Sequence, residues 1–495
     1  MSGYSPCGQL LIPTFTHSLI ARATPSKFAP MYPIVLLSFL GIVVLFLGFL
    51  KSRNVLLPAT LLFLALALAG NFVEWNQGTI LYFGNMFMVN NLTLAFNAIV
   101  LISAFMIVAM TRGFQDDDEA QPAEYFAIMH FSLVGACMMI GFENLIILFL
   151  GLEILSVALY VLTGSEKRNL RSNEAALKYF LMGAFATGIL LFGIGLLYGA
   201  TGTFTLSGIQ SYLAQPQPTP PYLLYAGLML LLIGMLFKVS AAPFHFWTPD
   251  VYEGAPTIFT TFMATIVKTA GFAALFRLLS HAFTGVYDMW WITLAGITVL
   301  TLLVGNIIAA YQTSFKRMLA YSSISHAGYL LIALTSMTEK TEYSILFYSM
   351  AYSVSTICAF GVLIPVARAK ALEGKPGETY EAFNGLARNN PLLAFVLTVS
   401  MLSLAGIPLT AGFWGKFFVF GSAAERNLIW LLVVAVLMSA VGIYYYFRVV
   451  IATYMKEDDT PKIRVAPFYQ IVLIAATVLT ILFGLAPGLF DQAWF

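Results

Sequence analysis

The stretch LLIGMLFKVSAAPFHFW, residues 231–247, interrupts an apolar segment with Lys238 and follows it with Pro243 five residues later. Proline lacks the backbone donor of a helix and clashes with the preceding turn, so this stretch predicts a helix that breaks near the lysine. Inside a membrane, such a break is tolerated only where the freed backbone groups face protein or water. A charged residue beside the break therefore indicates an ion or proton path.

A second stretch repeats this arrangement closer to the C-terminus. Residues 401–420, MLSLAGIPLTAGFWGKFFVF, contain Gly406 and Pro408 ahead of Lys416. The two stretches fall in the seventh and twelfth apolar segments, five helices apart. A unit of five crossings ends on the side opposite to its start, so a second copy inserts upside down. The pattern predicts two inverted five-helix repeats, spans four to eight and nine to thirteen, in which spans seven and twelve are discontinuous.

The composition of the chain is that of a membrane protein. Of its 495 residues, 60% are hydrophobic and 10% are charged, and the mean hydropathy is +0.85. Soluble globular domains carry roughly 25% charged residues, which excludes that class. The net charge of +2 gives no reason to expect a nucleic-acid partner. The three cysteines have no metal-ligand spacing and no nucleotide-binding glycine motif occurs, so we expect no cofactor or metal in this chain.

The fold class predicted from hydropathy is an all-α membrane protein with about fourteen transmembrane helices, because one crossing needs about 20 apolar residues. The predicted spans are Tyr32–Leu50, Leu56–Trp75, Met86–Met110, Tyr125–Gly141, Leu145–Gly164, Ala175–Gly199, Tyr222–Ala242, Thr257–Leu279, Trp291–Tyr311, Met318–Met337, Tyr343–Ala367, Leu392–Gly421, Leu428–Tyr454 and Val465–Leu489. They divide the chain into five parts: an N-terminal extension at 1–31, helices one to three at 32–110, the first repeat at 124–280, the second repeat at 290–455, and a C-terminal helix at 464–495.

The basic residues outside the spans orient the chain in the membrane. Fifteen lysines and arginines fall in loops after odd-numbered spans, against four in loops after even-numbered spans and in the N-terminal tail. Basic loops stay in the cytoplasm, so both termini are expected on the periplasmic side. The acidic run at 116–119 then lies on the cytoplasmic side, where it is expected to form a solvated turn.

Four ionisable residues lie deep inside predicted spans: Glu153, Lys238, Lys268 and Lys416. Each costs at least ~2.5–3.5 kcal/mol at the bilayer centre on insertion scales, so stability alone does not account for them. For Glu153, the alternative to a proton site is a structural ion pair between helices. For Lys416, the alternative is a side chain that extends to the membrane interface.

His326 shares the segment AYSSISHAGYLL with three serines. Its unperturbed pKa of about 6.5 suits a proton relay, although a buried histidine bonded to neighbouring hydroxyls is the other interpretation. Weaker candidates are Lys178, His245 and Asp250, which lie near cytoplasmic span ends and act there as proton-uptake points or as interfacial anchors.

Two further ionisable residues lie at the outer ends of spans. Glu143 lies at the outer end of span five and is a weaker candidate for the proton path. Arg277 lies close to the end of span eight, and we expect its side chain to extend to the membrane interface.

Five segments of the chain, in order, resemble the antiporter-like membrane subunits of respiratory complex I, from about residue 32 to the C-terminus. Of the three such subunits in bacteria, the chain is most similar to the one that lacks a long lateral helix and has lysine, not glutamate, in the twelfth span. The segments are LFLGLEILSVALYVLTG, EAALKYFLMGAFATGILLFGIGLLYGATGT, LFKVSAAPFHFWTPDVYEGAPT, FKRMLAYSSISHAGYLL and LSLAGIPLTAGFWGKFFVF.

The resemblance implies a proton-translocating subunit of NADH:quinone oxidoreductase in the bacterial inner membrane. It implies that Glu153 and Lys238 form a coupled pair, that Lys268 and His326 extend a central hydrated axis, and that Lys416 passes the proton outward. NADH, FMN, iron–sulfur clusters and quinone would belong to partner subunits. The expected partners are a second antiporter-like subunit, small helical membrane subunits and lipid.

The alternative is a subunit of a multi-subunit sodium/proton antiporter, a family that resembles this chain in its glutamate and lysine pattern. The twelfth-span lysine and the SHAGYLL segment favour complex I.

Overall fold

The structure is a computed structural model that describes residues 31–50, 53–111, 121–215, 222–456 and 461–490. The N-terminal extension up to residue 30 and the acidic run at 116–119 lie outside the described residues. Most described residues form helices, which are numbered here in chain order. The helices are α1 (Tyr32–Leu47), α2 (Leu56–Val73), α3 (Asn91–Ala109), α4 (Pro122–Gly141), α5 (Leu145–Thr163), α6 (Leu170–Thr201), α7 (Leu206–Leu213), α8 (Tyr222–Lys238), α9 (Trp247–Gly254), α10 (Thr257–Phe262), α11 (Lys268–Arg277), α12 (Tyr287–Ala310), α13 (Phe315–Ser336), α14 (Thr341–Leu372), α15 (Leu386–Asn389), α16 (Pro391–Ala405), α17 (Ala411–Glu425), α18 (Ile429–Met455) and α19 (Pro467–Leu485).

The helical membrane class predicted from the sequence is confirmed. Within the described residues, eleven helices are long and apolar enough to cross a membrane, and three shorter apolar helices are α1, α8 and α16. Each overlaps one predicted span; the number of crossings and the inverted repeats stay predictions. Helices α6 and α14 are longer than the predicted spans because their polar ends continue the helix beyond the apolar segment.

A small β-hairpin between α2 and α3 was not predicted. Strands β1 (Ile80–Tyr82) and β2 (Phe87–Val89) pair antiparallel, with Ile80 opposite Val89. Three residues between the strands, 83–85, have positive φ, which closes the turn tightly. Strands of three residues are too short to show a two-residue periodicity, so the apolar run around them was assigned to the helix that follows.

Both predicted helix breaks are present, and they have the same backbone geometry. Helix α8 ends at Lys238, where Ser240 has φ +65° and Ala241 N–H donates to Leu236 O. Helix α16 ends at Ala405, and Gly406 has φ +83°.

In that second break, the backbone N–H of Ile407 donates to Leu402 O. In both breaks a left-handed residue and a six-to-one hydrogen bond close the helix end, which is the Schellman motif. The freed carbonyls are thus partly satisfied inside the membrane, as a break at this depth requires.

The two most buried spans lie at the centre of the molecule. The apolar segments within residues 257–282 and Phe315–Ser336 are 100% and 94% buried. The corresponding segments of α6 and α18 are only 33% and 28% buried. The first of these central spans contains two π-helical segments, Met263–Val267 and Leu278–Ala282, the first of which directly precedes Lys268. Lys268 and His326 belong to these two spans, so both side chains are shielded from lipid on all sides.

Helix α8 is held against α6 by close backbone contact through glycines. A Cβ atom added at Gly193 would lie 2.7 Å from Leu231 N, and one at Gly227 would lie 2.9 Å from Leu197 N. A Cβ atom at Gly195, by contrast, would meet nothing within 4 Å. Small residues allow this approach of membrane helices, and here they bring the broken helix α8 against α6.

Gly193→Ala is expected to destabilise the protein by about 1–3 kcal/mol, because the methyl group overpacks the α6–α8 contact. Gly195→Ala, two residues away, is the matched control and should change stability by about 1 kcal/mol or less. Thermal denaturation of the detergent-solubilised complex measures both variants. Equal midpoints for the two would show that close packing at Gly193 does not hold α8 in place.

Candidate functional site

Lys238 is bound by two hydroxyl groups from neighbouring helices. Its Nζ donates to Ser156 Oγ of α5 at 2.8 Å and to Tyr179 Oη of α6 at 3.4 Å. The side chain is 4% exposed. Tyr179 in turn stacks on Trp247, with ring centroids 4.6 Å apart and 5° between the planes. Among the described residues, no carboxylate lies within ion-pair distance of this lysine.

Glu153 lies one turn before Ser156 on α5 and is half-buried. Its Oε1 is buried and has no hydrogen-bond partner within the described part of the chain. The carboxylate lies close enough to Lys238 to favour the ammonium electrostatically, but the two groups make no direct contact. The coupled pair inferred from the resemblance is therefore a pair of neighbours without a direct contact, and its role stays a prediction.

Lys268 follows the first π-helical segment and lies at the start of α11. Its Nζ donates to both the backbone carbonyl and the hydroxyl of Ser323 on α13, and it lies 5.8 Å from the centroid of the Tyr352 ring. The π-helical segment adds a residue to the turn before the lysine, which changes the face on which the side chain projects. Nothing in the sequence indicated this segment.

His326 is buried on α13 and is bonded through both ring nitrogens. Its Nδ1 lies 2.7 Å from Tyr348 Oη of α14, and its Nε2 lies 3.1 Å from Tyr446 Oη of α18. Lys416 and Lys268 are both close enough to interact electrostatically with the ring. The alternative interpretation was a buried histidine bonded to neighbouring hydroxyls. The hydroxyls that bond it belong to tyrosines of two other helices and not to the serines of α13.

Lys416 lies on α17, after the second break, and reaches back to it. Its Nζ donates to Ala405 O, the last carbonyl of α16, at 2.7 Å and to Ser439 Oγ of α18 at 3.0 Å. The ammonium lies 4.8 Å from the centroid of the Tyr329 ring. The side chain is 5% exposed and is held by internal oxygens, so the interfacial alternative for Lys416 does not apply.

Two of the weaker candidates, Lys178 and Asp250, belong to a charged cluster. Lys178 Nζ lies 2.8 Å from Asp250 Oδ2 and 2.8 Å from Glu174, and Arg317 pairs with Asp250 at 3.0 Å and with Glu253 at 2.7 Å. A cavity of about 280 Å³ opens beside the cluster. The side chains of Lys178 and Asp250 are about one-third exposed, so the cluster is a hydrated site at a span end.

His245 lies in the first break and is 7% exposed. Its Nδ1 has no hydrogen-bond partner among the described residues, and the ring packs 4.7 Å from Phe246.

Glu143 forms a buried charged pair with Arg277 at the outer end of the first half. Arg277 Nη1 lies 3.9 Å from Glu143 Oε2, and Nη2 donates to Thr93 Oγ1 at 2.6 Å. His281 Nδ1 lies 3.7 Å from the same carboxylate. The prediction that Arg277 extends to the interface is wrong: the residue is 4% exposed, because Glu143 and Thr93 hold it inside.

Lys316 and Glu74 are buried charged residues that were missed. Lys316, counted as a loop charge, is 3% exposed and bonds Ala255 O at 2.8 Å and Glu378 at 3.0 Å. Glu74, just after α2, accepts from Tyr32 N at 3.3 Å, and burial raises its pKa to about 7. Both lie at span ends, where a charge carries no hydropathy signal.

The comparison with known families covers most of the chain. The family described as NADH:quinone oxidoreductase/Mrp antiporter, TM, matches residues 143–442. A relative from Flavobacterium psychrophilum, named NADH-quinone oxidoreductase subunit N, is 39% identical over 459 residues, which are 92% of this chain and 99% of the relative. The chain belongs to the subunit N family of NADH-quinone oxidoreductases.

Solved structures agree with this family. A chain of respiratory complex I from Thermus thermophilus, solved with bound aureothin, superposes with a TM-score of 0.79 at 36% identity, covering 92% of this chain and 98% of that one. A chain of the Mrp complex from Dietzia sp. has a TM-score of 0.82, covering 93% of this chain and 95% of that one. Its identity is only 17%, so it shows a shared fold and does not support the antiporter alternative.

The buried cations of this subunit N family member fall into two chemical classes. Lys238, Lys268 and Lys416 are bound by hydroxyls and carbonyls, which carry no charge. Lys316 and Arg277, in contrast, face carboxylates. A lysine held by neutral oxygens exchanges a proton without breaking an ion pair, whereas removing the charge of a paired group leaves its partner buried and alone.

Lys416→Arg is expected to assemble better than Lys416→Ala but to pump fewer protons per electron than the parent. Arginine keeps the charge that Ala405 O binds, yet it practically never releases its proton. Proton uptake by reconstituted vesicles, divided by electron transfer in the same sample, gives the ratio. A parental ratio in the arginine variant would make Lys416 an anchor for the break rather than part of the path.

Arg277→Met is expected to lower the amount of assembled complex, because breaking a buried pair costs about 3–5 kcal/mol. The double variant Glu143→Gln/Arg277→Met removes both charges of the pair and should recover most of that loss. Native gels and thermal stability measure both. Normal assembly of the single variant together with a reduced proton-to-electron ratio would contradict the structural role and assign the pair to the proton path.

Proposed function

We propose that this chain is a proton-translocating membrane subunit of a bacterial NADH:quinone oxidoreductase, respiratory complex I. The single observation that carries the proposal is the set of three buried lysines bonded to neutral oxygens. It occurs in a chain 39% identical over almost its whole length to a protein named subunit N of that enzyme. Charged groups at this depth are expensive and mark ion or proton pathways.

In this proposal, the redox chemistry belongs to partner subunits and this chain moves protons. NADH, FMN, iron–sulfur clusters and quinone are bound elsewhere in the complex. Within the described residues of this chain, no group of three His, Cys, Asp or Glu side chains could hold a metal ion. Electron transfer in the partners drives changes in hydration and charge here, to which the lysines respond by taking up and releasing protons.

The order of the path is Glu153, Lys238, Lys268, His326 and Lys416. The bond from Lys268 to Ser323, three residues before His326 on α13, supports the step between the two halves. The electrostatic influence of both Lys416 and Lys268 on His326 supports the histidine as the group that links them. The break after α16, which Lys416 contacts through Ala405 O, supports an outward step at that point.

Protons enter this path from the cytoplasmic side beside Lys178 and Asp250. The cavity of about 280 Å³ at these residues supports the proposal, since it admits water. Tyr179 follows Lys178 directly on α6 and contacts Lys238, while its ring stacks on Trp247. Because Tyr179 adjoins both Lys178 and Lys238, uptake would pass through its hydroxyl or require the stacked pair to part. His245 would serve the same uptake step from the break.

The chain is oriented with both termini on the periplasmic side of the inner membrane, as its basic loops indicate. Two inverted repeats, 124–280 and 290–455, form its functional halves, between helices one to three at 32–110 and a C-terminal helix at 464–495. The matching Schellman ends of α8 and α16 support the repeats. Its partners are a second antiporter-like subunit and the small helical subunits of the membrane arm.

Lys238→Ala is expected to abolish most proton pumping and to slow coupled electron transfer, while the complex still assembles. Alanine removes the ammonium group that Ser156 and Tyr179 bind. Lys340→Ala is the control, because Lys340 is an exposed lysine paired with Glu425 at the outer surface. Proton uptake and NADH-dependent quinone reduction are measured together in vesicles. Parental pumping by assembled Lys238→Ala complex would refute the proposed path.

A further inference from the structure

Two tyrosines from different helices bracket His326. Tyr348 Oη of α14 lies 2.7 Å from Nδ1, and Tyr446 Oη of α18 lies 3.1 Å from Nε2. Tyr446 Oη also bonds Ser322 Oγ, one turn before the histidine on α13. All four side chains are at most 3% exposed. They form a continuous line of four hydrogen-bonding groups, in the order Ser322, Tyr446, His326 and Tyr348.

Every member of this line can donate and accept at once. A hydroxyl has one donor and accepting lone pairs, and neutral imidazole has one donor nitrogen and one acceptor nitrogen. In one orientation Ser322 donates to Tyr446, Tyr446 to Nε2, and Nδ1–H to Tyr348. A proton that arrives on Ser322 Oγ shifts each O–H or N–H proton to the next acceptor, and Tyr348 Oη releases one proton at the far end.

In this shift each group gains one proton and loses one, so no tyrosinate remains. The histidine changes tautomer, with its proton now on Nε2. The line must return to its first orientation before it conducts again, by rotation of the hydroxyls and exchange of the imidazole proton.

The first end of the line lies beside Lys268. Ser323, which binds the Lys268 ammonium through its hydroxyl and carbonyl, is the neighbour of Ser322 on α13. Ser325 Oγ also donates to Ser322 O at 2.8 Å, which holds this turn of α13 together. Lys268 therefore binds the residue adjacent in the chain to the one that starts the line.

The second end opens toward the break in span twelve. A small cavity of about 10 Å³ is lined by His326, Tyr348, Ser355, Ser403 and Gly412, and its volume is about that needed for one water. Ser355 donates to Ser403 Oγ at 2.7 Å, and the backbone N–H of Gly412 donates to the same oxygen at 3.1 Å. Gly412 is one turn before Lys416 on α17, so the Tyr348 end of the line lies one helical turn from Lys416.

We propose that Tyr446, with Tyr348, is a relay residue that carries the proton through His326 between Lys268 and Lys416. This inference rests on the proposed function and adds to it the groups that bridge its central gap. The histidine alone contacts neither lysine, so the bridge has to come from other helices. Helix α18 supplies it through one hydroxyl, even though that helix has the most lipid-exposed window of the spans described.

Tyr446→Phe tests the relay, since it removes one oxygen atom and leaves the ring in place. Tyr469→Phe is the matched control: Tyr469 is also buried, and its hydroxyl donates to Gly361 O at 2.7 Å, away from the lysines. In reconstituted vesicles, Tyr446→Phe should slow coupled proton uptake by roughly tenfold or more, as expected for loss of a proton-transfer group. Assembly should match that of Tyr469→Phe, which should pump as the parent does.

Further variants distinguish a failure of the proposed function from a failure of the relay. If His326→Ala and Lys238→Ala both pump like the parent, the proposed function itself is wrong. If they are impaired while Tyr446→Phe keeps the parental proton-to-electron ratio, only the relay is overturned. Should Tyr446→Phe fail to assemble, Tyr348→Phe and Ser322→Ala interrupt the same line from α14 and α13, and parental pumping by either assembled variant overturns it as well.

Discussion

Every ammonium inside this bundle needs oxygen atoms, and an unbroken helix in lipid offers few, because most of its carbonyls are used within the helix. Most of the internal architecture follows from this requirement. A helix that ends in mid-membrane exposes carbonyls, and its C-terminal end carries partial negative charge that favours a cation. Lys416 donates to the last carbonyl of α16, and Lys238 is itself the last residue of α8. The helix breaks therefore stabilise Lys238 and Lys416, the two lysines from which the breaks were predicted.

Hydroxyl groups supply the remaining hydrogen-bond partners of the buried lysines. Ser156, Tyr179, Ser323 and Ser439 reach the lysines from other helices, so each ammonium ties two or three helices together without a carboxylate. Such partners remain satisfied when the lysine is neutral, because a hydroxyl rotates and donates where it previously accepted. A carboxylate could not adapt in this way, since an ionised carboxylate only accepts. Neutral partners thus make the protonation state of these lysines exchangeable while the packing stays fixed.

The sequence predicted the features that violate the chemistry of a lipid-facing helix. Lysines within apolar segments and a proline near a lysine are local signals, so both breaks and the burial of Lys238, Lys268 and Lys416 were predicted. Ser240 was not, because a non-glycine residue with positive φ has no local signature. The π-helical turn before Lys268 and the tyrosines around His326 were missed for another reason. Both depend on how helices distant in sequence pack together. A tyrosine in a membrane segment is interpreted as a packing residue until the partner of its hydroxyl is known.

Arg277 shows the limit of judging charge by depth alone. It lies close to a span end, where a long side chain can reach water, yet it turns inward to Glu143 and Thr93. Depth gives the cost of burying a charge, whereas the available partners decide whether that cost is met. The same distinction separates two kinds of charge in this chain. Charges paired with carboxylates lie toward the span ends and fix helices there, while lysines with neutral partners lie deep and are bound by hydroxyls and backbone carbonyls.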